Sequence, residues 1–351
     1  MTRARDVADT QDNLGGAVPP FAAGKNKIIN GDFRINQRNF TSVTATNTYT
    51  FDRFFIRTGG DGTGTFTPQA FTPGAAPVAG YEGTNFIRIV TAGSTSTNTL
   101  MGLRQIVEDV RTFAGQTVTV SFWAKAATGT PSIVAPLSQV FGTGGSTVVT
   151  TPSTKQSITT SWARYSFTIN VPSISGKTIG TGTVGLQLTI GLSVGSDFAT
   201  DFTSLGIQNN TFDIWGVQIE AGSVATPFQT ATGTIQGELA ACQRYYYRTT
   251  PGLVSTAIAT TGVAKSTTVA TILVTNPVTM RIAPTSVDFS SLVIYDGVNA
   301  IVVTAVTLGS TVGATSFLGS IDVTGTGLTQ FRPYYLYTNS TTGFLGFNAE
   351  L

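Results

Sequence analysis

Two tryptophans in strand-like segments are the residues of this sequence whose type and position best suit a binding role. The segments "QTVTVSFWAKA" and "SWARYSFTINV" alternate apolar and polar residues, which places Trp123 and Trp162 on faces that otherwise carry Thr, Ser, Lys or Arg. An aromatic ring on a polar face can stack on a sugar ring, or it can be buried against a neighbouring subunit. We favour the subunit contact for this chain and keep sugar stacking as the alternative.

A second aromatic group lies in the segment "FRPYYLYTNS". Tyr335 and Tyr337 share one face of the predicted strand, and Tyr334 takes the other face. The apolar ring and polar tip of tyrosine suit either glycan stacking or a subunit interface, and core packing is the simpler interpretation for most of the group. The candidate glycan-contact residues are therefore Trp123, Trp162, Tyr334, Tyr335 and Tyr337.

Catalytic chemistry has few residues to use. The chain has no histidine, which removes the commonest general base and metal ligand, and its one cysteine, Cys242, excludes an intrachain disulfide. Glu108 and Asp109 are adjacent, so their carboxylates do not converge on one substrate. The Gly-rich stretches "TGGDGTGTF" and "FGTGGSTVV" lack the Lys-Ser/Thr pair of a phosphate-binding loop. We predict that the protein is not an enzyme and uses no catalytic residue, cofactor or metal.

The composition narrows the choice of partners. Charged residues make up 11% of the 351 residues, and the net charge is +2 without any basic cluster, so neither nucleic acid nor an anionic membrane is indicated. The start of the sequence, "MTRARDVADTQDNLGG", has no apolar core of a signal peptide, and no run of about 18 apolar residues occurs anywhere. We expect a chain that is made in a cytosol and does not insert into membranes. Its low charge suits a surface buried in an assembly.

The elements that must position these residues are strands. From Lys27 onward, short alternating segments are separated by clusters of Gly, Pro, Asn, Asp and Ser, which is typical of a β-sandwich. We predict one short helical connection in "RQIVEDVRTFAG" and a helix in "ELAACQRYYY" that passes into a strand. The apolar face of the clearest strands is predicted to form the core: Val118, Val120, Phe122, Ala124, Tyr165, Phe167, Ile169, Val171, Val184, Leu186, Leu188 and Ile190.

Four blocks of the sequence resemble a known group of proteins. In order, they are "KIINGDFRINQR", "TFDRF", "LRQIVEDVRTFAGQTVTVSFWAKA" and "FDIWGVQIEAGSVATPF". They are similar to fibre and tail proteins of tailed bacteriophages, in a domain that looks like a jelly roll related to carbohydrate-binding modules. The blocks "GELAACQRYYYRT", "TNPVTMRIAPT" and "GFLGFNAEL" look like the C-terminal domain that follows it in those proteins.

The resemblance implies an all-β protein with three parts. Residues 1–25 are predicted to be an extended N-terminal attachment arm, residues 26–230 a jelly-roll β-sandwich, and residues 231–351 a second, smaller β-sandwich. In the carbohydrate-binding relatives, an acid after the first-strand Asn-Gly-x-Phe helps to hold a structural calcium against an Asp near the last strand. Here Asp213 is present, but Arg34 follows Phe33, and a cation repels Ca²⁺. Asp32 and backbone carbonyls remain as alternative ligands, and we assign none.

The function implied by the resemblance is structural. We expect a virion protein, a subunit of a phage fibre or appendage (foremost a tail fibre), which is a homotrimer, binds other virion proteins through its arm and contacts host surface glycans. Its location would be the virion, after synthesis in the host cytoplasm. A capsid head fibre or decoration protein is the first alternative, and a glycan-binding receptor protein or a depolymerase is the second. The depolymerase would need two carboxylates about 5 to 9.5 Å apart, and no pair is marked by the sequence.

Overall fold

The computed structural model describes residues 24–44, 47–309 and 318–351, and for residues 318 and 319 the backbone alone. The chain forms two compact units, one that extends to Glu238 and one that spans Leu239–Leu351. The predicted attachment arm lies outside the described residues except for its last two positions. The predicted domain boundaries at residues 25 and 230 stay predictions.

In its described part, residues 24–44 and 47–238, the first unit has thirteen strands and one 3₁₀ turn, Ser196–Phe198. The strands are β1 Val43–Thr44, β2 Phe55–Arg57, β3 Thr63–Ala70, β4 Asn85–Ala92, β5 Leu100–Glu108, β6 Thr117–Ala126, β7 Ser132–Ile133, β8 Leu137–Thr143, β9 Val149–Thr151, β10 Gln156–Ser157, β11 Ala163–Asn170, β12 Thr181–Val194 and β13 Asn210–Ala221.

Two antiparallel sheets form the sandwich of this unit. The six-stranded sheet has the order β1-β3-β4-β13-β6-β11, the five-stranded sheet has the order β2-β5-β12-β8-β9, and β10 pairs with β7 in a small ribbon. Apart from the consecutive pairs β3-β4 and β8-β9, neighbouring strands of a sheet are distant in sequence, so the chain passes repeatedly from one sheet to the other. The prediction of an all-β, jelly-roll sandwich is confirmed.

The core between the two sheets follows the predicted faces. The predicted apolar residues of β6 and of the β11 segment are all buried, as are Leu186, Leu188 and Ile190 of β12, whereas Val184 is only half-buried. Phe122 and Phe167 stack with their ring centroids 5.7 Å apart. Each fully buried side chain of this size contributes about 1.5 to 3 kcal/mol, so this alternation is the main sequence-level determinant of the sandwich.

The helical connection predicted for "RQIVEDVRTFAG" is wrong. Residues up to Glu108 belong to β5, which pairs with β12 from Leu100↔Val194 to Glu108↔Gly185. Turns follow, in which Asp109 and Phe113 have positive φ angles of 70° and 61°. The segment alternates with a period of two, burying Leu103 and Val107. Ladder bonds to a central strand outweigh the weak helical preference of its charged residues.

The second unit is also a β-sandwich, preceded by helix α1 Ile235–Gln243, which spans the division between the units. Its sheets have the orders β14-β24-β18, β15-β23-β19-β20 and β16-β17-β22-β21. The predicted passage from a helix into a strand at the tyrosine run is confirmed. The strands are β14 Tyr246–Thr249, β15 Ala257–Ala259, β16 Thr261–Ala264, β17 Val269–Thr275, β18 Ser286–Ser290, β19 Leu292–Tyr295, β20 Ala300–Val302, β21 Ala305–Leu308, β22 Leu318–Thr324, β23 Tyr335–Thr338 and β24 Phe344–Asn348.

The core of the second unit contains the buried residues Ile272, Ile294, Ile321, Leu336 and Phe347. Cys242 is buried. No helix within the described ranges is long and apolar enough to span a membrane.

Candidate functional site

The outer face of the six-stranded sheet carries the predicted tryptophans, and the chain itself covers it. Trp123 of β6 lies opposite Trp215 of β13, with ring centroids 5.4 Å apart. Phe228 lies on Trp215 at 5.0 Å, and Tyr81 reaches the same indole at 5.5 Å. We call this surface the covered face, and residues 71–84 and 222–230 its covering segments.

The fit of one covering segment depends on a glycine. A Cβ at Gly83 would lie only 2.7 Å from Nε1 of Trp215, closer than real side chains approach. The glycine therefore lets the backbone of residues 71–84 rest directly on the indole. Trp215 is fully buried as a result.

A buried carboxylate fastens the other covering segment. Oε1 of Glu220 accepts hydrogen bonds from the Thr226 amide at 2.9 Å and from Nε2 of Gln218 at 2.7 Å, and Oε2 accepts one from the Thr226 hydroxyl at 2.6 Å. Lys25 adds an ion pair at 3.1 Å. Burial raises the pKa of Glu220, but the hydrogen bonds from Thr226, Gln218 and Lys25 outweigh it, so this pKa lies below its ordinary value.

The covering segments decide what the two candidate tryptophans can do. Trp123 is only 9% exposed, and the Arg164 guanidinium lies 4.6 Å from its ring centroid. Trp162 is half-buried against Phe71 and Phe86, at 5.7 and 5.4 Å, with Nζ of Lys125 at 5.3 Å. Trp123 thus packs within its own chain, an alternative that the alternation pattern does not reveal. Trp162 keeps part of its side chain exposed to solvent.

The acids considered for calcium are paired with cations. Arg88 donates to Asp213 from Nε at 2.7 Å and from Nη2 at 2.9 Å, and Nζ of Lys125 lies 3.6 Å away. Asp32 pairs with Nε of Arg34 at 3.3 Å and accepts the Tyr81 hydroxyl at 2.8 Å. These residues do not fit a calcium ion. In the part of the chain that the structure describes, no group of three or more His, Cys, Asp or Glu residues could hold a metal.

A cavity of about 340 Å³ next to the covered face is lined by Tyr81, Phe228, Asp32 and Glu238 among others. Glu238 accepts hydrogen bonds from the amides of Asn30 and Thr232, both at 2.7 Å. Burial raises the pKa of Glu238 and these hydrogen bonds lower it, but burial is the larger effect, so the pKa lies above its ordinary value. Asp32 and Glu238 therefore hold local structure, and we assign them no chemistry with a ligand.

The outer face of the five-stranded sheet has a different character. Its side chains form rows that cross the strands, because residues paired in register share a face. In one row Phe55 lies opposite Arg104, and Arg104 opposite Thr189. The next row joins Ile106, Gln187, Ser138 and Thr150. We call this surface the open face and define it by the following residues: Tyr49, Phe55, Arg57, Arg104, Ile106, Ser138, Val140, Thr150, Gln187 and Thr189.

The polar groups around Thr189 on the open face make long bonds to one another, whereas the hydroxyl oxygens of Ser138 and Thr150 lie 3.0 Å apart. Nε of Arg104 lies 3.4 Å from the Thr189 hydroxyl oxygen, and Nε2 of Gln187 lies 3.5 Å from the same atom. Ordinary N–H···O bonds measure about 2.9 to 3.0 Å, so these donors are only weakly engaged within the chain. Tyr49 and Phe55 provide aromatic surface beside them, with ring centroids 5.2 Å apart.

One end of the open face is closed by a loop. Residues 195–206 place Phe202 and Leu205 against Leu100, Val134 and Val194, forming a small core separate from the main one. Phe202 lies over Gly191, where a Cβ would come within 2.8 Å of its ring. The open face is therefore bounded by a wall at this end.

The candidate tyrosines of the second unit fall into two groups. Tyr334 is 1% exposed, and its hydroxyl accepts a hydrogen bond from the Thr329 amide at 3.0 Å, so it is a core residue. Tyr335 is 38% exposed, and its ring centroid lies 6.2 Å from that of Tyr337. Tyr337 and Tyr295 line a cavity of about 250 Å³. The shared face of Tyr335 and Tyr337 is confirmed.

The class that this architecture defines is an all-β protein with a jelly-roll sandwich and a second sandwich. No protein-family model matches the sequence. No curated protein matches it either.

Solved carbohydrate-binding modules are similar to the chain at low sequence identity. The CBM22-2 xylan-binding domain from Paenibacillus barcinonensis Xyn10C is 18% identical, covers 51% of this chain and 99% of its own, and has a TM-score of 0.32. The family 11 module from Clostridium thermocellum is 11% identical, covers 53% of this chain and 99% of its own, and has a TM-score of 0.31. The C-terminal family 22 module of Clostridium thermocellum Xyn10B is 14% identical, covers 58% of this chain and 99% of its own, and has a TM-score of 0.33. Similarities with TM-scores this low assign no ligand to this chain.

Sequence reasoning missed the open face. Its signal is present in "GLRQIVE", where Leu103, Gln105 and Val107 alternate with Arg104 and Ile106. The prediction of a helical turn for this segment is incompatible with that alternation. Which strands lie beside β5 depends on pairing between distant residues, which no local pattern contains.

Proposed function

We propose that this chain is a non-catalytic glycan-binding protein and that its binding surface is the open face. The observation that carries the proposal is the presence, on one sheet face, of aromatic rings beside two polar side chains, Arg104 and Gln187, whose hydrogen bonds within the chain are long. Arg104 and Gln187, which both approach the hydroxyl of Thr189, are the central polar groups.

Sugars need both kinds of contact. Their C–H faces stack on aromatic rings, and their hydroxyl groups require directional donors and acceptors. Phe55 lies directly opposite Arg104 across the sheet, so a ring and a donor are adjacent. A ligand that accepts from Arg104 and Gln187 would replace weak internal bonds by shorter ones, so little is lost when it binds.

The test is a glycan array probed with the full chain and with matched variants. Phe55→Ala and Gln187→Ala should each weaken binding about tenfold, since a stacking contact or a hydrogen bond contributes about 1 to 1.5 kcal/mol. Two control variants lie away from the open face. Val224→Ala changes an exposed apolar residue of a covering segment, and Gln69→Ala changes a glutamine of β3. Both should leave binding unchanged. Absence of binding to every glycan, or equal losses in the control variants, would contradict the proposal.

We also propose that the chain forms a homotrimer and is a subunit of a phage fibre or appendage. We favour a tail fibre over a capsid head fibre. Exposed apolar side chains in the smaller unit are the candidate contacts of an assembled state, because the centres of subunit interfaces are rich in apolar groups. They are Leu253, Val254, Val263, Leu273, Val298, Val302, Phe331 and Tyr335.

Light scattering of the purified chain tests the assembly, with a trimer expected and a stable monomer at micromolar concentration contradicting it. Deletion of residues 1–24 should leave both units folded and abolish incorporation into particles. Normal incorporation would locate the attachment elsewhere. Antibody labelling of virions would distinguish the tail from the capsid.

A further inference from the structure

Among the residues that the structure describes, no carboxylate forms an ion pair with two arginines of the open face, Arg57 and Arg104. Arg57 lies opposite Gly102, and Arg104 is two residues further along β5, so the two are diagonal neighbours about 7 to 8 Å apart at the backbone. Nη1 of Arg57 donates to Oδ1 of Asn47 at 3.2 Å, and Nε of Arg104 lies 3.4 Å from Oγ1 of Thr189. Both of these protein partners are neutral.

Four other arginines of the same unit are paired with acids, whereas Arg164 donates to neutral groups, the Ser121 hydroxyl and the Thr226 carbonyl. Arg34, Arg38, Arg88 and Arg111 each form an ion pair with an aspartate. Within the described ranges, no ion pair joins Arg57 or Arg104 to an acid. The acid of β5 is Glu108, which lies four residues from Arg104 and therefore about 13 Å along the strand.

The two guanidinium groups also act on each other. Burial, and to a smaller extent the neighbouring charge of Arg57, lower the pKa of Arg104 to about 10, while Tyr49 opposes the shift. The group stays fully charged at neutral pH. A half-buried cation beside a second cation lacks the compensation that buried charges normally have, and an anion between them would supply it.

We propose that Arg57 and Arg104 make the open face selective for acidic glycans, with the two guanidinium groups binding a sugar carboxylate. This inference rests on the proposed glycan-binding function and names its ligand class. Arginine suits the task because its planar fork donates two parallel hydrogen bonds to a carboxylate. Phe55, opposite Arg104, would lie under the ring of the same sugar or of its neighbour.

The experiment compares each acidic oligosaccharide with its own carboxyl-reduced form. Oligogalacturonate, oligoalginate and hyaluronan fragments serve as probes, with neutral xylo- and cello-oligosaccharides beside them, and binding to the full chain is measured by titration calorimetry. At least one acidic probe should bind about tenfold more tightly than its reduced form, and the difference should shrink as salt rises.

Three variants identify the groups responsible. Arg57→Gln and Arg104→Gln should each weaken binding of the acidic probe about tenfold and leave the reduced form nearly unchanged. Phe55→Ala should weaken both forms. Arg111→Gln, on an exposed turn beside Asp109, is the matched control and should change neither.

The possible failures are distinguishable. If neutral, reduced and acidic probes bind equally and the arginine variants behave like wild type, the acidic selectivity is overturned while glycan binding stands. If no probe binds, both proposals fail. If Arg57→Gln or Arg104→Gln changes the oligomeric state by light scattering, the arginines pair with a neighbouring copy and the proposal is overturned.

Discussion

The two outer faces of one sandwich carry similar residues and have opposite fates. Each has aromatic rings beside arginines, but Trp123 and Trp215 are sealed by the chain itself, whereas Phe55 and Arg104 are left half-buried. The difference lies outside the strands, in the covering segments and in the carboxylate of Glu220 that fastens one of them. An aromatic residue on a sheet therefore becomes core or binding surface according to the loops above it.

The largest effect that separates the faces is expected for Trp215→Ala. The indole is fully buried under Phe228 and Tyr81, so its removal should lower the free energy of unfolding by about 3 to 5 kcal/mol. Phe55→Ala, with a half-buried ring, should cost about 1 kcal/mol. Urea unfolding followed by circular dichroism measures both. Similar losses for the two variants would show that the faces do not differ as described.

The second test loosens the covering segment without touching the aromatic residues. Glu220→Gln turns one acceptor oxygen into a donor and removes the charge, so the bonds from Thr226 and the ion pair with Lys25 weaken. The free energy of unfolding should fall by about 1 to 3 kcal/mol. Acrylamide quenching of tryptophan fluorescence should rise as the segment lifts from Trp215 and Trp123.

The control for that variant is Glu82→Gln. Its carboxylate is exposed and accepts a bond from the Gly74 amide at 3.1 Å, so the loss should be within about 0.5 kcal/mol. Unchanged quenching in Glu220→Gln would mean that this carboxylate does not hold the segment down.

The same carboxylate gives a pH dependence of definite sign. Because the pKa of Glu220 is lower in the folded than in the unfolded state, its stabilising contribution is complete above the unfolded value of about 4.5. It is lost as the pH falls through the lower folded value. The difference in free energy of unfolding between wild type and Glu220→Gln should therefore shrink between pH 6 and pH 3. A constant difference would contradict the pKa shift.

Glu238 should behave in the opposite way. Burial raises its folded pKa above the unfolded value, so the folded state binds the proton more tightly. Its ionisation then costs stability as the pH rises through the interval between the two values. The free energy of unfolding of the wild type minus that of Glu238→Gln should consequently fall with rising pH in that interval. A rise would show that hydrogen bonds from Asn30 and Thr232 outweigh burial at this site.

The sequence predicts the strands of this protein better than its surfaces. Alternation around Phe122 and Phe167 identifies the core faces because burial of one side of a strand leaves a period of two. The burial of Trp123 could not be read in the same way, since Phe228, more than a hundred residues away, provides its cover. The open face is hidden for a related reason, since the charged residues around Glu108 favour a helical turn when the sequence is considered locally.

The smallest and most specific comparison uses one substitution on both faces. Thr119 and Thr189 are both buried, but the Thr119 hydroxyl donates to the Gly222 carbonyl at 2.8 Å, whereas that of Thr189 lies 3.4 Å from Nε of Arg104 and 3.5 Å from Nε2 of Gln187. Valine keeps the shape and removes the hydroxyl. Thr119→Val should cost about 1 kcal/mol because a well-formed bond to the covering segment is lost.

Thr189→Val should change stability by less than about 0.5 kcal/mol, because bonds at the limit of the hydrogen-bonding distance contribute little. Its effect should appear in glycan binding instead, since Thr189 lies between the Arg104 and Gln187 donors. Chemical denaturation and glycan titration of the two variants separate these outcomes. A larger loss of stability in Thr189→Val than in Thr119→Val would mean that the polar groups of the open face are committed to the fold, and would remove the reason for regarding them as available to a ligand.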